Sequence, residues 1–415
     1  MKKKITAMVL AAATALTLAA CGSSSSDTAS TTASTAAAEE TSTAASTAAE
    51  DTASTEASTT STASGDASDM KIAMITDYGD ITDQSFNQIT YEACQQWAAD
   101  NGGLDFKYYK PEGDSTAERD AQIDMAVADG YNVIVTPGYA FAEAVFDEAD
   151  LYPDVKFIAL DVAQSDLDSA SGETGYSRDN VYSAVYQEEL PGYMAGYAAV
   201  KMGYKKLGFL GGMAVPAVMR YGYGFVQGAD DAAAELGETD VEVKYAYGNQ
   251  FYGDADITSA MDTWYAGGTE VVFACGGGIY TSACEAAAKV DGKVIGVDVD
   301  QKATIDGQYG DGMCITSACK GLAATVNTLL DAIRDGKWDD YAGQVQDLGL
   351  VSGDDLSLNY VGLADSTVYN DTFTEDDYKN LVAKMYSGEV TVSNDTTAEE
   401  PTADNITVDY QGNIK

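Results

Sequence analysis

The sequence predicts an α/β protein built as two doubly wound lobes, each a parallel sheet covered by helices. Three observations carry that expectation. From Met70 onward, short apolar runs alternate with amphipathic helical patterns, which is how parallel strands joined by crossover helices read. The runs fall into two series of about five strands, and residues 70–415 are long enough for two lobes. Polar residues also recur at the carboxyl ends of the runs, where open parallel sheets bind ligands.

In chain order, Lys2, Lys3 and Lys4 form a basic start and an apolar run follows to Ala20. Leu18-Ala19-Ala20-Cys21 places small residues ahead of a cysteine, so residues 1–20 read as a lipoprotein signal peptide. Cleavage would leave Cys21 at the new N-terminus for acylation. The run is short and rich in Ala and Thr, unlike a membrane span. Residues 22–69 are nearly all Ser, Thr, Ala, Asp and Glu, with no Lys, Arg or aromatic residue. Such a segment buries too little apolar surface to offset its ordering entropy. Residues 21–69 are therefore expected to be a lipidated, disordered tether.

Strands are predicted over residues 71–76, 106–109, 132–136, 156–160 and 181–186. A second series covers 206–210, 241–246, 271–274, 293–297 and 314–317. Helical patterns lie between most of them, at 117–128, 142–149, 192–202, 218–236, 257–266 and 281–288. A further helix is predicted over 323–335, short strand-like pieces over 344–364, and a late helix over 376–386. From about Asn394 the chain turns polar and acidic, which reads as a loosely held tail over 395–415.

Composition excludes several functions. The formal net charge is −43, which disfavours nucleic acid as a partner, since phosphate backbones need basic surfaces. A free nucleotide would also meet an unfavourable field. The chain has no histidine, so Ser-His-Asp and Cys-His catalysis and His-ligated metals are excluded. After Cys21, the cysteines Cys94, Cys275, Cys284, Cys314 and Cys319 are odd in number and contain no C-x-x-C. That indicates neither a zinc site nor a full disulfide framework. No metal or cofactor is expected. Gly222, Gly224 and Gly228 do not fit the dinucleotide fingerprint and read as small residues that let a helix pack closely. No P-loop or G-x-S-x-G elbow occurs. A carboxylate-based enzyme stays open.

The loop from Asp77 to Gln88 joins the first strand to the first helix. Asp83 is an N-cap candidate. Phe86 falls in the first turn, where it either covers the top of the sheet or faces a ligand. Asp77, Asp161, Gly276-Gly277-Gly278, Asp298 and Lys320 each follow a predicted strand. In parallel sheets they converge on one cleft between lobes, the arrangement of a small-molecule site.

The first loop also resembles the D-x-G-x-x-D-x-S-F-N loop of the basic membrane protein (BMP) family, nucleoside-binding lipoproteins that serve ABC importers. The similarity extends along the folded region. It includes Tyr152-Pro-Asp-Val-Lys-Phe157, Asn180-Val181, Glu188 with Met194-Ala195-Gly196, and Gly208-Phe-Leu-Gly-Gly212 with Pro216. Gly296-Val-Asp-Val-Asp-Gln301 and Thr316-Ser-Ala-Cys-Lys320 complete the series. The resemblance implies a type I periplasmic-binding-protein fold, two Rossmann-like lobes joined by three crossovers. The lobes are expected at 70–180 plus 313–342 and at 181–312 plus 343–394.

It further implies that Phe86 and Tyr221 sandwich a base, with tyrosine standing where phenylalanine is usual, and that Asn87, beside Phe86, adds a polar contact. Asp161 would accept hydrogen bonds from the base. Asp298 and Lys320 would hold the ribose, with Gly277 allowing close backbone approach. The implied ligand is a nucleoside of the purine class, and the implied partners are an ABC permease and, through the lipid, a membrane. The expected protein is a non-enzymatic monomer on the extracytoplasmic face. A sugar or furanose receptor and a carboxylate-based nucleoside hydrolase are the alternatives.

Overall fold

Two sheets organise the computed structural model, which describes residues 68–77 and 79–415. The signal peptide, Cys21 and the tether up to residue 67 lie outside the described residues. The first part of the chain runs β1 (Ile72–Ile75), α1 (Phe86–Asp100), β2 (Phe106–Tyr109), α2 (Thr116–Ala128), β3 (Val133–Pro137), α3 (Ala142–Ala149), β4 (Lys156–Leu160), α4 (Gln164–Ser171) and β5 (Val181–Tyr186). The second runs α5 (Glu189–Lys201), β6 (Lys206–Gly211), α6 (Pro216–Leu236), β7 (Glu242–Tyr247), α7 (Ala255–Ala266), β8 (Val271–Cys275), α8 (Tyr280–Ala287), β9 (Lys293–Asp298), α9 (Lys302–Tyr309) and β10 (Cys314–Lys320). Then follow α10 (Leu322–Arg334), β11 (Val345–Leu348), β12 (Val361–Leu363), α11 (Glu375–Tyr386) and β13 (Thr407–Asn413).

The first sheet has the order β11-β5-β4-β3-β1-β2 and the second β12-β10-β9-β8-β6-β7-β13. Pairing is parallel except for β12, which lies antiparallel to β10. Central strands such as β1, β3 and β8 are buried at every position, as a sheet covered on both faces requires. On the first sheet, α1 and α10 cover one face through Cys94, Trp97, Val326 and Leu329. Ile123, Phe141 and Val145 cover the other. On the second, α5, α6 and α11 pack on one face, and α7 and α8 on the opposite one.

Helices α5 and α6 touch backbone to backbone. A Cβ at Gly196 would strike the Phe225 carbonyl, and one at Gly228 the Tyr193 carbonyl. Gly192 and Gly224 meet the same contact from Tyr221 and Glu189. The glycine spacing read in the sequence thus serves helix packing.

The chain crosses between sheets three times: after β5, after β10 and after β11. Their positions differ from the boundaries the resemblance implied. β5 belongs to the first sheet, with Phe157 opposite Val181 and Leu160 opposite Ala184. β10 belongs to the second, with Ala318 opposite Val297. β11 returns to the first, with Val345 opposite Ser183. Each crossover follows a strand that still pairs within the sheet being left, so expected boundaries 180/181, 312/313 and 342/343 each sit one strand too early.

The acidic tail is also corrected. β13 within it pairs in parallel with β7, and Ile406, Val408 and Tyr410 pack against the second core. Asp230 accepts from the backbone N–H of Asn405 and Ile406, and Trp264 Nε1 donates to Gln411. Alternating apolar residues hold an edge strand that acidity alone concealed.

Candidate functional site

A cleft of about 520 Å³ opens between the carboxyl ends of the two sheets, within the range of small-molecule sites. All eight ligand residues expected from the sequence line it: Asp77, Phe86, Asn87, Asp161, Tyr221, Gly277, Asp298 and Lys320.

The first lobe supplies the loop between β1 and α1. Asp83 organises it, although the helix begins only at Phe86. Its Oδ1 accepts from the N–H of Ser85 and Gln88 at 3.0 Å, and its Oδ2 from the N–H of Asn87 at 3.0 Å. These are the donors a new helix leaves unpaired, so Asp83 caps α1 from two residues before Ser85. Burial raises its carboxyl above the ordinary range, against these hydrogen bonds. The cap fixes the first turn, and with it Phe86 and Asn87, at the cleft.

Asp161 and Asp298 occupy matching places at the ends of β4 and β9. Both hold a left-handed backbone, with φ of +62° and +65°. Non-glycine residues rarely adopt it, and such strain gathers at ligand sites. At the end of β8, Gly276 and Gly277 also have positive φ, and a Cβ on either would strike Phe251.

Lys320, at the end of β10, is the centre of charge. Its Nζ lies 2.6 Å from Asp161 Oδ2, 3.1 Å from Glu188 Oε1 and 3.8 Å from Asp298 Oδ1. Glu188 is fully buried and also accepts from Arg220 Nε at 2.7 Å. Burial disfavours the Lys320 ammonium, but the three carboxylates outweigh it and raise its pKa. Burial likewise opposes ionised Glu188, yet Arg220 and Lys320 hold it below the usual range. Asp161 is pushed up to about 6 by burial, which Lys320 only partly offsets. Asp298 is raised by burial against Lys320 and the Ser85 hydroxyl. The ammonium also lies 4.7 Å from the Phe86 ring centroid and 5.9 Å from that of Tyr221, within cation–π range.

Direct bonds tie the lobes together beside this cluster. Ser85 Oγ donates to Asp298 Oδ2 at 2.6 Å, Gln301 Nε2 to the Gln84 carbonyl at 2.9 Å, and Thr304 Oγ1 to Gln84 Oε1 at 3.0 Å. Three buried polar atoms on cleft residues have no protein partner: Asn87 Oδ1, Asp161 Oδ1 and Tyr221 Oη. Buried polar groups are normally satisfied, and these three stand unpaired on residues of the cleft.

Several residues that line the cleft, or bond to its lining, have no site role legible in the sequence. Glu188, which bonds Lys320 but does not itself line the cleft, sits at the first crossover, where no strand-end signal marks it. Phe251 and Tyr252 come from the loop after β7, and Tyr139 from the turn after β3. Their position at strand ends was the available signal, but the apolar runs ended before them. The five cysteines beyond Cys21 are free thiols, and Cys275 lines the cleft.

A family model described as ABC transporter substrate-binding protein PnrA-like matches residues 70–396. The ABC transporter nucleoside-binding protein BmpA of Lactococcus lactis is 27% identical over 287 residues, covering 65% of this chain and 77% of that protein. Basic membrane protein B of Borreliella afzelii is 26% identical over 294 residues, covering 69% and 80%. A lipoprotein of Pyrococcus furiosus is 23% identical over 299 residues, covering 68% and 69%. Among solved structures, an ABC transporter solute-binding protein from Aeropyrum pernix superposes with a TM-score of 0.59 at 22% identity, covering 78% of this chain and 87% of that one. A second, from Conexibacter woesei, gives 0.58 at 23%, covering 78% and 99%. These two establish the type I periplasmic-binding fold. Among the described residues no helix is long and apolar enough to cross a membrane. With the family model spanning residues 70–396, the chain belongs to the PnrA-like (BMP) family of ABC transporter substrate-binding proteins.

Proposed function

We propose that this protein captures a nucleoside of the purine class at the extracytoplasmic face of the cell membrane, held there by a lipid on Cys21, and hands it to the permease of an ABC importer. It acts as a monomer and leaves the ligand chemically unchanged. One observation carries the reading: an aromatic face and a pair of carboxylates share a single ammonium in one cleft. The Phe86 ring centroid lies 4.7 Å from Lys320 Nζ, which is flanked by Asp161 and Asp298.

A base stacks on Phe86 and against a ring of the second lobe, Tyr221 or Phe251. Stacking of this kind is worth about 1–3 kcal/mol per base. Asp161, with one oxygen unpartnered, accepts from base N–H groups. Ribose hydroxyls donate to Asp298, an acceptor only, while Lys320 balances its charge. Asn87 and Asp77 add polar contacts, and Gly277 leaves room for the ligand to approach the backbone. The relative named as nucleoside-binding supports the ligand class.

The test is equilibrium dialysis of the mature chain against inosine, followed by chromatography of the recovered ligand. The reading expects saturable retention of intact inosine. Hypoxanthine accumulating with time would make the protein a hydrolase. Retention of ribose but not inosine would make it a sugar receptor.

A further inference from the structure

We propose that the Tyr221 hydroxyl is a specificity-determining group that hydrogen-bonds a ribose hydroxyl of the bound nucleoside. The inference rests on the nucleoside reading above and deepens it. Tyr221 comes from α6, lines the cleft and is 1% exposed. Its Oη has no hydrogen-bond partner. A buried hydroxyl without a partner costs stability, so a chain that keeps one at a ligand cleft has a ligand group to meet it.

The neighbours identify that group. Glu188 has both oxygens engaged, one with Lys320 and one with Arg220. Asp298 already accepts from Ser85 Oγ and faces Lys320. Neither is paired with the tyrosine. The ring is fixed edge-on to Phe273, with centroids 5.9 Å apart and planes at 86°, so the hydroxyl is held in place. Burial, with Asp298 and Glu188 nearby, drives the phenol well above its ordinary pKa. It therefore stays protonated, able both to donate and to accept. A ribose hydroxyl has the same double capacity. It donates to Asp298 and accepts from Tyr221, so the two residues read one sugar hydroxyl from opposite sides. A site built to bond a hydroxyl rejects the analogue that lacks it.

The experiment titrates inosine and its 2′-deoxy, 3′-deoxy and 5′-deoxy forms into the parent and Tyr221→Phe proteins. The variant is expected to bind inosine about 10-fold more weakly. With the analogue missing the contacted hydroxyl, that penalty should fall below about 3-fold. An equal penalty for all four ligands, or none for any, would overturn the inference while leaving nucleoside binding intact. A parent protein that binds none of them would overturn both the inference and the functional reading. The ligand-free proteins give a separate check. Tyr221→Phe should melt at or above the parent temperature, because it removes an unpaired hydroxyl. A lower melting temperature would mean that the hydroxyl has a protein partner, and the inference would fall.

Discussion

Lys320 Nζ and Asp161 Oδ2 lie 2.6 Å apart, although one residue ends a strand of the second sheet and the other a strand of the first. The pair spans the cleft, and Ser85 with Asp298 spans it again in the opposite sense. The form seen here therefore has its lobes in contact through groups that also line the ligand cavity. A ligand shifts the balance between open and closed lobes only through contacts it makes better in one of them.

Ligand-induced closure is the first expectation. Saturating inosine should raise the melting temperature and reduce the radius of gyration in small-angle scattering. At 100 times Kd the stabilisation is about 2.7 kcal/mol. Unchanged values with inosine, alongside changes with ribose, would transfer the cleft to sugars.

Base and sugar recognition should separate by mutation. Phe86→Ala is expected to weaken inosine and hypoxanthine alike, by about 1–3 kcal/mol. Asp298→Ala should cost inosine about 3 kcal/mol, since it removes a charge-assisted acceptor and leaves Lys320 with one carboxylate fewer. Hypoxanthine, lacking ribose, should lose less than about 1 kcal/mol in that variant. Calorimetry on both ligands checks this, and equal losses in Asp298→Ala would mean that Asp298 only shapes the cleft. Phe251→Ala, titrated beside Tyr221→Ala, shows which second-lobe ring faces the base.

Binding should depend on pH through Asp161. Its carboxyl is pushed up to about 6 in the free protein by burial. It must be ionised to accept from a base N–H at Oδ1 while Oδ2 holds Lys320. Affinity should therefore be flat above pH 7 and fall below about pH 6, by up to about tenfold per unit. Asp161→Asn should bind more weakly at pH 7 and lose that dependence. A parent profile flat from pH 7 to 5 would remove Asp161 from base recognition.

Stability should respond to pH elsewhere in the first lobe, where α2 faces α3. Glu148, 4% exposed with Oε2 unpartnered, is pushed up to about 7 by burial and by Asp124, Asp120 and Asp147. Asp120 is raised to about 6 by burial and by neighbouring carboxylates. Folded-state values above the unfolded ones mean that the native state holds more protons. Stability should therefore rise as pH falls from 8 toward 5 at these groups. Glu148→Gln should raise the melting temperature by a few degrees at pH 8, and the gain should vanish near pH 5. A variant less stable than the parent at pH 8 would show that ionised Glu148 is satisfied.

Much of the fold was legible because central strands are buried on both faces and read as short apolar runs. The strand-end residues Asp77, Asp161, Gly277, Asp298 and Lys320 were legible for the same reason, since a strand's end fixes where the next side chain points. The crossovers were not. Whether residues 181–186 pair with the strand before or the strand after depends on tertiary register, which no local pattern encodes. β13 escaped because acidity hid the alternation of Ile406, Val408 and Tyr410. Glu188 escaped because a crossover brings it to Lys320, and Phe251 because a loop brings it to the cleft. The first-turn position of Phe86 was visible, but that it faces the cleft depends on Asp83, which caps the helix from outside it.

Calorimetric titration of inosine and guanosine into the mature chain, with ribose and glucose as controls, tests the central claim most directly. The account predicts saturable 1:1 binding of at least one purine nucleoside with Kd of about 1 μM or tighter, and no saturable heat from either sugar. Absence of saturable heat from both nucleosides would contradict it.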